Sequence, residues 1–199
     1  MNRKVGTILA AEEYFARRVA LRVAATRPLK MWQQIIPGMF IFDFLTRQKG
    51  IRVFSGYYMF PRKLAMERAR KSDEAAPEFE DTITAWLTDQ NLYSQDIHSE
   101  MIRLVDLLSE HYSRLLRADG DIYEDVVSKA YNTREDYDAF LTRLTEMEHR
   151  IDAFALARMR NPEANSQELR LQQEQIEALR KKDANAIFLL VLGAPPTGD

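Results

Sequence analysis

The chain contains no cysteine, so disulfides, thiol nucleophiles and cysteine-ligated metals are excluded. It has only three histidines, His98, His111 and His149, which limits histidine-based catalysis and metal binding. Its 7 glycines form no phosphate-cradling loop, and there is no Walker lysine or dinucleotide fingerprint. No apolar run approaches the roughly 20 residues of a spanning helix. Stretches that alternate with strand period are few, so the expected fold class is all-α, a helical bundle. At 199 residues and 46% hydrophobic content the chain is long enough to bury a core and too apolar for disorder.

Charge is unevenly distributed. Residues 1–71 carry 15 Lys and Arg against 4 Asp and Glu, a net +11. Residues 72–199 carry 13 against 26, a net −13. Such asymmetry points either to an anionic partner for the basic part or to pairing between the two parts. The expected organisation is a basic, aromatic-rich helical portion over 1–71, a linker over 72–76 and an acidic helical bundle over 77–199.

Helical periodicity predicts a first helix over about 3–26. Its apolar start meets Glu12 and Glu13 too soon for a signal peptide, so a cytoplasmic protein is expected. Pro28 suits the first turn of a second helix. Pro37-Gly38 interrupts the apolar run Met31–Leu45, Arg47-Gln48-Lys49-Gly50 reads as a turn, and Pro61 reads as the start of a basic helix. Further helices are expected from Pro77 to Gln90, after a Ser94 cap to Arg117, from Asp121 to Tyr131, after a Thr133/Asp136 cap to Arg160, and from Asn165 onward. Ile97, Met101, Leu104, Leu108, Tyr112 and Leu115 form one apolar stripe, and Tyr137, Phe140, Leu141, Leu144, Met147, Ile151 and Phe154 another. The C-terminal run Ile187–Leu192 is expected to fill the core, against the first helix; the alternatives are an exposed docking tail and a place beside the aromatic arms at a membrane.

Eight of the 20 aromatic residues fall between positions 32 and 60. Basic residues bracket them. Two readings follow. In one, two apolar arms joined by a basic turn form a hairpin at an anionic membrane surface. Trp32, Phe40, Phe42, Phe44, Tyr57 and Tyr58 are then interfacial anchors, and Lys30, Arg47, Lys49, Arg52, Arg62 and Lys63 contact lipid phosphates. In the other, the same segment is core, and Asp43 pairs with Arg47 or Arg52. Nucleic acid fits poorly, because Phe40 to Leu45 is too continuously apolar for an exposed groove.

The run Arg27-Pro28-Leu29, Trp32, Ile36-Pro37, Phe40, Phe42 and Phe44, followed by Lys63-Leu64-Ala65, resembles the N-terminal signature of an uncharacterised bacterial family of helical proteins of similar length. The resemblance covers the first third of the chain. It implies a helical fold and brings no activity, catalytic residue or cofactor.

Other constellations carry little chemistry. Glu146 and His149 have the Glu-x-x-His spacing of di-iron bundles, without the second such element. His98 and His111 lie about 20 Å apart on one helix, at its packing edge or on its surface. Asp119-Gly120-Asp121 lacks the spacing of a calcium loop. The expected function is therefore non-catalytic, without a cofactor: a peripheral platform at an anionic membrane surface or on a membrane-bound protein, at the inner face. The alternatives are a dimeric protein–protein adaptor with the aromatic segment in its core, and a carboxylate-rich metal binder or enzyme.

Overall fold

A computed structural model describes residues 3–26, 39–71, 76–158 and 162–191. These form seven helices and, among the described residues, no strand: α1 (Arg3–Thr26), α2 (Met39–Lys71), α3 (Ala76–Asp89), α4 (Gln95–Arg117), α5 (Tyr123–Ala130), α6 (Arg134–Arg158) and α7 (Pro162–Val191). The fold is an all-α helical bundle. Among the described residues no helix is long and apolar enough to cross a membrane.

The bundle is organised around α4. Its stripe Ile97, Met101, Leu104, Leu108, Tyr112 and Leu115 is buried, and so are Val105, Leu107, Ser109 and His111 on its flanks. Helices α2, α3, α5 and α6 all pack on it. Small residues set the α2–α4 approach: Ala65 is fully buried, and Ser109 Oγ, bonded to the Val105 carbonyl at 2.7 Å, reaches the Ala65 carbonyl at 3.3 Å. Helix α1 buries Val5, Ile8, Ala16, Val19 and Ala20 at helical spacing against α2, α5 and α7.

Caps fix the ends of α4. Ser94 Oγ accepts from the Ile97 N–H at 3.3 Å. At the other end Lys4 Nζ donates to the Leu116 and Ala118 carbonyls at 3.3 and 2.6 Å, placing a cation where the helix dipole favours one. Gly120 follows at φ +152°, where an added Cβ would lie 3.0 Å from Val126. Thr133 Oγ1 accepts from the Asp136 N–H at 3.2 Å and caps α6. Ser94→Ala should cost about 1 kcal/mol, read as a lower denaturant midpoint with an unchanged m-value.

Three expectations are corrected. First, the hairpin is instead one continuous 33-residue helix, α2, with Arg47-Gln48-Lys49-Gly50 and Pro61 inside it. Arg, Gln and Lys are good helix formers, and one interior glycine costs only about 1 kcal/mol. Pro61 cannot donate to the Tyr57 carbonyl, a loss that the packing of α2 on α1 and α4 outweighs. Second, the sign change at 72–76 separates no two cores. One core joins Val5 and Ile8 of α1, Leu64 to Met66 of α2, the α4 stripe, and Ile187 and Phe188 of α7. Third, Phe154 is 37% exposed, and it is Ala155 beside it that packs with Ile151 on the core. Helix α7 starts at Pro162, three residues before the expected Asn165.

Candidate functional site

Two arrangements on α2 carry the chemistry, and neighbouring side chains enter different ones. Tyr57 and Tyr58 lie about 100° apart around the helix axis. Tyr57 turns toward α3: its ring meets Trp86 edge-on at 5.4 Å and its hydroxyl donates to Gln90 Oε1 at 2.5 Å. Phe60 stacks on the same Trp86 at 4.2 Å. Tyr58 turns inward, with its ring near those of Phe15 and Phe54 at 5.8 and 5.9 Å.

On the Tyr57 side an open groove of about 930 Å³ runs between α1, α2 and α3. Tyr57, Phe60 and Trp86 give it an aromatic floor; Arg17, Arg52 and Lys63 give it a basic rim. Lys63 is held 3.6 Å from Glu13, both exposed. Arg17 and Arg52 have no ion partner among the described residues. Leu21, on the groove edge, is 57% exposed, and Tyr14, at i−7 from it on α1, is 63% exposed. Gly56 also lines the groove; a Cβ there would meet nothing within 4 Å.

On the Tyr58 side is a buried ion network. The Arg62 guanidinium lies 3.4 Å from the centre of the Tyr58 ring, a cation–π contact. Its Nη1 donates to the Tyr58 carbonyl at 2.9 Å, its Nε to Glu12 at 3.1 Å and its Nη2 to Glu148 at 3.0 Å. Glu148 also accepts two bonds from Arg180, at 2.7 and 2.9 Å, and Tyr112 donates to Glu12 at 3.0 Å. Arg62 is only 2% exposed. Burial alone would raise the Glu148 carboxyl, but Arg180 and Arg62 hold it down at about 2. Burial lifts the Tyr58 phenol to about 12 and the Tyr112 phenol well above its ordinary value. This network ties α1, α2, α4, α6 and α7 at one point.

Of the residues expected at a membrane, Arg52, Tyr57 and Lys63 come together at the groove. Lys30 and Trp32 lie outside the described residues. Phe40, Phe42, Phe44, Arg47 and Lys49 fall on the α2 backbone, with side chains outside the described residues. Arg62 is a correction: it is an interior residue saturated by protein partners, not a lipid contact. Tyr58 is likewise a correction, because its ring is covered by Phe15, Phe54 and Arg62.

Opposite charges of the two parts of the chain do meet. Arg18 pairs with Asp183, Arg68 with Asp106 and Lys71 with Glu78. The histidines divide. His111 is interior rather than at the helix edge or surface: Nδ1 is 2.6 Å from the Tyr131 hydroxyl and its ring stacks on Phe140 at 4.2 Å. His98 Nε2 lies 3.0 Å from Thr84 Oγ1, and His149 pairs with Glu177 at 3.1 Å. Among the described residues no group of three or more His, Asp or Glu is placed to hold a metal ion.

Sequence reasoning missed Glu12, Glu148 and Arg180. Glu148 carried a signal: it lies four residues after the buried Leu144, on the inward stripe of α6. The chain matches no family model, no curated protein and no solved structure.

Proposed function

We propose that this protein is a non-catalytic helical platform that attaches to an anionic membrane surface through the face of the bundle formed by the second half of α1 and the middle of α2. One observation carries this reading. Arg17 and Arg52 lack ion partners among the described residues and stand beside the exposed Leu21 around an open, aromatic-floored groove. Arg18, Arg62, Lys63, Arg68 and Lys71 are matched by acidic side chains, whereas Arg17 and Arg52 keep their charge for an external partner. Each such cation near an anionic leaflet contributes about 1 kcal/mol, and exposed Leu and Tyr add interfacial burial. The ion network on α2 ties that helix to α1, α6 and α7 beside the attachment site.

The Arg17→Glu/Arg52→Glu double variant should lose binding to phosphatidylserine-containing vesicles by at least about tenfold, with an unchanged circular dichroism spectrum. Undiminished binding would remove these residues from the attachment site.

A second reading, a dimeric protein–protein adaptor, draws on a different observation. Tyr58 and Phe60 pack within the bundle, and the opposite charges of the two parts meet in cis. Sedimentation equilibrium distinguishes it: the adaptor reading requires a dimer mass at micromolar concentration and no vesicle binding.

A further inference from the structure

A second cavity, of about 200 Å³, lies between α2, α3, α4, α6 and α7 and shares Tyr57 and Trp86 with the groove. It is somewhat larger than an apolar cavity that holds benzene, about 150 Å³. Phe54, Trp86, Leu92, Met101, Ile151 and Ile176 give it apolar walls. Polar groups converge at one side, the composition expected of a small-molecule site.

The charges there are not equivalent. Arg62 and Arg180 line the cavity, but their donors are already directed at Glu12, Glu148, Thr145 and the Tyr58 carbonyl. An anion entering would find no uncommitted cation. Glu148 is engaged by both arginines. Asp152 differs. It lines the cavity one turn beyond Glu148 and accepts only from the neutral Gln173 Nε2, at 2.9 Å. The nearby His149 is occupied with Glu177. Among the described residues Asp152 forms no ion pair, and the one cationic influence on it comes from His149.

We propose that this cavity binds a small organic ammonium, an amine carrying one aromatic ring or a short alkyl body, with its cation against Asp152 and its apolar part against the Phe54, Met101 and Ile176 wall. A bound ammonium supplies a counter-charge in a half-enclosed site, where a charge-assisted hydrogen bond is stronger than in open water. Burial above all, with the charge of Glu148, raises the Asp152 carboxyl to about 6 against the lowering effects of the Gln173 bond and of His149. The inference does not rest on membrane attachment: Tyr57 and Trp86 border both spaces, but Glu148 and Asp152 line the cavity and not the groove.

The test is isothermal titration calorimetry of the full chain at pH 7.5 with three probes of one shape: phenethylamine, 2-phenylethanol and phenylacetate. The amine should bind at least about tenfold more tightly than the alcohol, and phenylacetate should be the weakest. Asp152→Asn keeps an acceptor for Gln173 and should bring the amine down to the affinity of the alcohol. Ala155→Leu, which fills the cavity from α6, should abolish binding of all three with the helical spectrum retained. No binding by any probe, equal affinity for amine and alcohol, a preference for phenylacetate, or unchanged amine binding in either variant would overturn the proposal. The comparison of the three probes on the unmodified chain decides the matter even if a variant fails to fold.

Discussion

Arg62→Ala should destabilise the protein by about 3–5 kcal/mol, the effect expected when one partner of a buried ion pair is removed. The reason lies in what stays behind. Glu148 retains Arg180, but Glu12 keeps only the Tyr112 hydroxyl, and the Tyr58 ring loses the cation over its face. Arg62→Lys should cost less, yet still more than a surface change. A lysine keeps the charge but cannot serve Glu12, Glu148 and the Tyr58 carbonyl with a planar fork. The check is the guanidinium midpoint of each variant, converted with the measured m-value. A midpoint for Arg62→Ala within error of the parent would show that the network does not anchor α2.

The second large effect is acid lability with its origin at His111. Burial, assisted by Arg62 and Arg114, lowers this imidazole from 6.5 to about 3. The folded state therefore holds it neutral, between Tyr131 and Phe140. The unfolded chain takes up a proton below about 6.5, so stability is full above that pH and falls as the pH drops from 6.5 toward 3. The whole displacement corresponds to roughly 5 kcal/mol, and roughly half of that is lost by pH 4.5. Below about 4.5 the depressed Glu148 carboxyl adds to the loss, since its contribution is present above its unfolded value and disappears as pH falls to about 2. Thermal unfolding at pH 7 and pH 4.5 reads the His111 contribution. The His111→Phe/Tyr131→Phe variant has nothing to titrate there and leaves no orphaned hydroxyl. Its melting temperature should change much less between the two pH values. An equal drop in parent and variant would place the acid sensitivity elsewhere.

Much of the helical layout was legible because it is local. The α4 stripe, its Ser94 cap and the Thr133 cap are read from spacing alone, and each takes its expected place. Helix α1 has its expected span for the same reason. The membrane-hairpin expectation failed where local and tertiary signals compete. Gly50 and Pro61 look like breaks, yet neither is strong enough to overcome the packing of α2 along α1 and α4. The groove was half legible. Arg52, Tyr57 and Lys63 follow from the aromatic-basic pattern, but Arg17 and Trp86 come from helices that the chain brings alongside. The ion network was the least legible part. Arg62, Glu12, Glu148 and Arg180 are separated by up to most of the chain, and each alone reads as a solvated surface charge. Only the meeting of α1, α2, α6 and α7 makes them partners.

Co-sedimentation of the full chain with phosphatidylcholine vesicles and with phosphatidylserine-containing vesicles, at low and high salt, tests attachment most directly. The account predicts binding to the anionic vesicles alone, weakened as salt screens the contribution of Arg17 and Arg52. Equal recovery in the supernatant with both vesicle types at low salt would contradict it.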